Sequence, residues 1–110
     1  MEMVSDGNLR FSNDWGSETA LWMSGGGVTF DQLPWLPAAL IFKLSAQAGV
    51  FHEHYSPDTG MWSSEDIRVS HLNDCMEIAR NLAAALPSGM SLEHDLWEHR
   101  VKRYTLNAGR

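Results

Sequence analysis

The sequence predicts one small α+β domain, with about three helices packed on a small antiparallel sheet. Three observations predict it. The window Pro37–Ala48 is the most apolar stretch, and Leu36, Leu40, Ile41, Leu44 and Ala48 within and beside it line one face of a 3.6-residue repeat. A second stripe, Leu72, Cys75, Met76, Ala79, Leu82, Ala83 and Leu86, steps along another helix face. Elsewhere, short β-leaning runs alternate with Gly, Pro, Asn and Asp turns. A chain of 110 residues with 44% apolar content can close one core without staples. The expected domain is 1–110, with 1–7 and 107–110 as frayed ends.

Taken in order, Asn8–Ser12 alternates Leu9 and Phe11 against Arg10 and predicts a half-buried strand. Ser17–Met23 supports two assignments: a short helix capped by Ser17, which is favoured, or the second strand of a hairpin. Gly25-Gly26-Gly27 predicts a hinge or close turn; no Gly-Lys-Ser/Thr follows, so it is not a phosphate loop. Residues 28–30 are β-leaning, and Pro34 and Pro37 prevent a continuous helix from Asp31.

Pro37 suits the first position of a helix over 37–48, and Gly49 suits its end. Lys43 and Gln47 fall opposite the stripe, and Phe42 off it predicts cover on more than one side. Residues 50–55 read as a strand with Val50, His52 and His54 on one face. Ser56–Gly60 is a turn, with Met61 and Trp62 opening a returning strand near 61–69. Ser70 caps a helix over 71–86, ended by Pro87-Ser88-Gly89. Ser91 caps a last helix over 92–104, with Glu93 and Asp95 in its first turn and Arg100, Lys102 and Arg103 near its end, as a helix dipole favours.

The formal net charge is −6, unevenly placed: residues 1–99 hold all 14 acids, and four of the eight bases fall after His99. An acidic body argues against direct binding of nucleic acid and of anionic membrane. No apolar run approaches the roughly 20 residues a bilayer span needs, and the first residues carry no signal-peptide pattern. The lone Cys75 forms no internal disulfide and fits a reducing, cytoplasmic setting. The acidic body and basic end are compatible with self-association into a homo-oligomer.

Few constellations suggest chemistry. His52 and His54, on one face of a strand, could share a metal with Asp58, Glu65 or His71, but the ligand set looks incomplete. Cys75 lies one helical turn after His71, so a Cys–His pair is geometrically allowed, although Cys75 sits on the apolar stripe. His94, Glu98 and His99 on a helix would split between faces and make surface pairs. Five tryptophans are many for this length; Trp35 and Trp97 have core explanations, whereas Trp15, in a turn, and Trp62, just after one, are harder to bury, and aromatic rings in such loops often anchor interfaces. Glu53, Asp58, Glu65, Asp66, Asp74 and Glu77 stand against Arg68 alone.

These features predict a non-enzymatic cytoplasmic binding module, an inhibitor or accessory factor without cofactor. It would present Trp15, Asp58, Trp62, Glu65 and Asp66 to a basic protein partner, including one whose nucleic-acid-binding surface it occludes. The alternative is a small metal-binding protein or metal-dependent enzyme built on His52 and His54.

Overall fold

The computed structural model describes residues 7–108. They form an α+β domain with a mixed five-stranded sheet and two α-helices. The strands of the sheet are β1 (Asn8–Ser12), β2 (Leu21–Met23), β3 (Gly26–Gly27), β6 (Ser91–Leu96) and β7 (Val101–Asn107), in the order β3-β2-β1-β6-β7. Between β3 and β6 the chain makes α1 (Ala38–His54), a hairpin of β4 (Tyr55–Ser56) and β5 (Met61–Trp62), and α2 (Glu65–Ala85). The β1–β6 pair is parallel and the other pairs are antiparallel, so the sheet is mixed and not the antiparallel one expected, because the chain returns to β1 through two helices rather than a hairpin. The helices cover one sheet face, and Leu9, Phe11, Leu21, Leu40, Leu44, Ala79, Leu82, Leu92 and Leu96 meet in the core between them. On the uncovered face, Arg10 lies 5.4 Å over the Trp22 ring and Arg103 pairs with Glu93 at 3.2 Å.

The expected strand at Asn8–Ser12 and the expected helical stripes are present. Several other elements differ. Ser17–Met23 contains no helix: Leu21–Met23 is the hairpin strand, paired Arg10↔Trp22 and Phe11↔Leu21. Residues 28–30 are not a strand; Gly26–Gly27 pairs instead, and Phe30–Gln32 is a 3-10 turn. Gly27 is required by close approach, since a Cβ there would lie 2.7 Å from the Ser17 Cβ and 2.8 Å from the Gly16 carbonyl oxygen.

The first helix does not stop at Gly49. Its buried face is Leu40, Leu44, Gln47 and Phe51, spaced by four, three and four. Burying a Phe side chain stabilises by about 1.5–3 kcal/mol, against about 1 kcal/mol for a glycine inside a helix, so the stripe carries the helix through residues 50–54. Gln47 is therefore buried rather than outward, and Phe42, expected to be covered, is 76% exposed.

The second helix begins at Glu65, six residues before the expected start. Ser64 accepts a hydrogen bond from the Ile67 amide at 3.2 Å, and Glu65 and Asp66 occupy the positive end of the dipole. Residues 65–69 are thus helical, and the returning strand expected near 61–69 is limited to Met61–Trp62.

No third α-helix occupies 92–104. The alternation of Leu92, His94 and Leu96 inward with Glu93 and Asp95 half-exposed has period two, and β6 results. A 3-10 turn at Trp97–His99 then leads into β7. Arg100, Lys102 and Arg103 do not cap a helix; Lys102 and Arg103 are exposed on an edge strand, where charge discourages pairing with other chains. Of the ends expected to fray, Asn107 closes β7 and the Ala108 amide donates to the Met90 carbonyl at 3.1 Å; residues 1–6 and 109–110 lie outside the described residues.

Two substitutions on α1 test this helix. Gly49→Ala, whose Cβ meets nothing within 4 Å, is expected to stabilise the protein by about 0.5–1 kcal/mol. Leu44→Ala, at a fully buried position, is expected to cost about 2–5 kcal/mol. Denaturant melts measure both, and a destabilising Gly49→Ala would mean that the helix ends there.

Candidate functional site

Where β1 ends, the chain leaves a polar residue inside the core. Asn13 is 4% exposed and Gln47, on the buried face of α1, is 3% exposed. Their amides form a reciprocal pair: Asn13 Nδ2 donates to Gln47 Oε1 at 2.8 Å and Gln47 Nε2 donates to Asn13 Oδ1 at 2.9 Å. Asn13 Nδ2 also donates to Glu98 Oε2 at 2.8 Å. Gln47 Oε1 lies 3.0 Å from His71 Nε2 and accepts from the Cys75 thiol at 3.4 Å. His71 Nδ1 in turn faces His99 Nε2 at 2.8 Å. Three segments distant in sequence from Asn13 therefore meet there: α1, α2 and the turn after β6.

Rings cover this polar group. Trp62 stacks on His99 at 4.9 Å with an interplanar angle of 14°, and lies 4.8 Å from the His71 ring. Its indole donates to the Glu98 carbonyl at 3.2 Å, and that of Trp97 to the Asn13 carbonyl at 2.7 Å. Phe51 sits at the centre of a wider cluster, with Tyr55 at 5.2 Å, Trp15 at 5.4 Å, Trp97 at 5.9 Å and Trp62 at 6.3 Å. Phe51 is buried, Trp15 is 50% exposed and Met61 is 65% exposed, so the cluster is solid within and open at its rim.

Burial dominates the electrostatics. It lowers His71, His94 and His99 from 6.5 to about 4, and raises the Glu98 carboxyl from 4.5 to about 7 against the opposing hydrogen bond from Asn13. It also pushes the Cys75 thiol up. The Cys75 Sγ lies 3.6 Å from His71 Nε2, so the two do meet, but a neutral, buried thiol donating to Gln47 is not an activated nucleophile. Glu98 Oε1 and His99 Nδ1 are buried with no hydrogen-bond partner among the described residues.

The residues expected to bind a partner separate into two groups. Trp15 and Trp62 join one ring cluster through Phe51. Asp58 is exposed in the turn of the β4–β5 hairpin beside it. Glu65 is held by Arg68, at 2.9 Å and 2.6 Å, and its charge is offset there. Asp66 opens on a separate groove with Val50, His54 and Ser70. His52 and His54 lie on helix, not strand, so they leave it about 200° apart. His52 packs near Trp15, and His54 Nδ1 is 2.7 Å from the Ser63 hydroxyl.

Asn13, Gln47 and Glu98 are buried although nothing local in the sequence marks them as inner residues, and His99, expected at the surface, is buried too. The one available signal was the two-residue alternation over 91–96, which makes a strand and carries Glu98 and His99 to the end of the sheet. No matching family model, curated protein or solved structure emerges from comparison of this chain with known proteins.

The shifts imply a pH dependence. Between pH 6.5 and about 4 the unfolded chain protonates three histidines that the folded chain keeps neutral, so their stabilisation is complete above 6.5 and is lost as pH falls. Glu98 opposes this with one proton, since its raised value favours folding below 4.5 and loses that benefit as pH rises through about 7. Three groups outweigh one. Denaturant melts are expected to show a loss of about 1 kcal/mol or more from pH 6.5 to pH 5, and a flat profile would place these imidazoles in water.

Proposed function

We propose that this protein is a non-enzymatic cytoplasmic binding module that engages a basic protein partner through its aromatic end. The observation that carries the reading is the half-exposed Trp15 ring resting on buried Phe51 and beside Trp97, with Met61 exposed at the same end. Tryptophan and methionine on a rigid base suit an interface core, because a ring already held in place loses little freedom on binding. Asp14, Glu53 and Asp58 flank these rings in sequence and are exposed, and they supply the negative rim that would steer a basic surface. The role fits an inhibitor or accessory factor, including one that occludes a nucleic-acid-binding surface. It gives Glu65 little part, because Arg68 offsets its charge.

Trp62 contributes from below rather than as the anchor. It covers His71 and His99 and bonds the Glu98 carbonyl, so Trp62→Ala would open the core. Trp15 is the better probe. Affinity capture from the source cell followed by surface plasmon resonance tests the reading. Trp15→Ala is expected to weaken binding by upward of about 2 kcal/mol, mainly through faster dissociation, with its circular dichroism retained. Asp58→Lys is expected to slow association, and salt to do the same. Unchanged rates in both variants would place the interface elsewhere.

A further inference from the structure

Below the aromatic end, and independent of any partner, the geometry points to a divalent transition-metal site formed by His71, Glu98 and His99, for an ion of the zinc class. Each of the three offers one ligand atom, and these atoms lie within 4.8 Å of one another. Two imidazoles and one carboxylate suit zinc or cobalt better than magnesium or calcium, which favour sets made of oxygen.

The surroundings support ligation more than simple burial does. Metal-binding histidines commonly donate their second ring nitrogen to a fixed oxygen, and Gln47 Oε1 stands 3.0 Å from His71 Nε2 in that role. Asn13 holds the other oxygen of Glu98 at 2.8 Å. One amide pair thus orients two ligands, leaving His71 Nδ1 and Glu98 Oε1 for the ion. Glu98 is 4% exposed, and its Oε1 has no hydrogen-bond partner among the described residues. A carboxylate oxygen left in that state is costly, and a cation would satisfy it.

Some rearrangement is needed: the ligand atoms now lie within 4.8 Å of one another, and the His71–His99 hydrogen bond would give way to the ion. His71 Nδ1 and His99 Nε2 stand 2.8 Å apart, and two nitrogens on one tetrahedral zinc would stand about 3.3 Å apart, given bonds of about 2.0–2.1 Å. Glu98 and His99 also border an open cleft with Met61, Trp62, Arg68 and Arg100. Three protein ligands with a fourth position facing that cleft would leave room for water or a small ligand. Cys75 is not a ligand, because its thiol is occupied by Gln47.

The test uses the full chain, purified without a histidine tag and stripped with chelator, then titrated with Zn²⁺ by calorimetry and with Co²⁺ by visible absorption. One ion per chain is expected, with Co²⁺ bands of low coordination number and a raised melting temperature. Glu98→Gln, which keeps size and an oxygen for Asn13, and His99→Ala are each expected to abolish the Co²⁺ bands. Asn13→Ala is expected to weaken Zn²⁺ affinity about 10–100-fold. His52→Ala is expected to change neither measurement. Circular dichroism establishes that each variant is folded; if one is not, Co²⁺ bands and imidazole shifts on Zn²⁺ addition in the unaltered chain decide. Less than about a tenth of an equivalent of bound ion, or binding that survives Glu98→Gln and His99→Ala but not His52→Ala, would overturn the assignment.

Discussion

The structure depends on one buried polar contact, the reciprocal amide pair of Asn13 and Gln47. Neither amide reaches water, and each buried donor or acceptor left alone would cost about 1–3 kcal/mol. The pair fixes the residue after β1 to the middle of α1. Through it, Glu98 is held at the turn after β6, and His71 and Cys75 are held on α2. Aliphatic side chains could join the same elements without specifying how deeply α1 sits on the sheet. Hydrogen bonds have a narrow range of distance and angle, so this network sets that position.

The aromatic end follows from it. Once Asn13 is drawn inward, the next two residues turn outward, and Trp15 falls on Phe51 and Trp97. Glu98, drawn in from the opposite side, brings its carbonyl to the Trp62 indole. A tight Gly60 turn, with φ of 70°, lets the hairpin carry Trp62 back over the two histidines. Arg100, just beyond His99, adopts a left-handed backbone with φ of 59°, which turns the chain sharply into β7. A non-glycine residue in that region costs about 1–2 kcal/mol, an expense offset by the burial of Glu98 and His99 immediately before it. Rings, histidines and carboxylate form one continuous end of the molecule.

Much of the fold is legible in the sequence, and its site is less so. The α+β class, β1, the two helical stripes and the β4–β5 turn all follow from periodicity and turn chemistry. Gly49 and Pro57 look alike as punctuation, yet only the second interrupts structure, because Phe51 gives the helix a reason to pass Gly49. Acids before bases over 92–104 suit a helix dipole as well as two strands, and composition cannot separate them. Gln47 and Glu98 were hidden for a different reason: a polar residue on a core face is recognisable only when its partner is known. For both, the partner is Asn13, 34 and 85 positions away. Pairing across such distances leaves no local pattern.

The network holds together only if its hydrogen bonds run in one direction. Gln47 Oε1 accepts from Asn13 and Cys75, so His71 must donate to it from Nε2 and keep Nδ1 without a proton. The measurement that tests this most directly is the long-range ¹H–¹⁵N spectrum of the imidazoles near neutral pH, with His71 assigned by substitution. A neutral His71 ring carrying its proton on Nε2 is expected. A ring protonated on Nδ1, or on both nitrogens, would contradict it, because the amide pair would then have to run the other way.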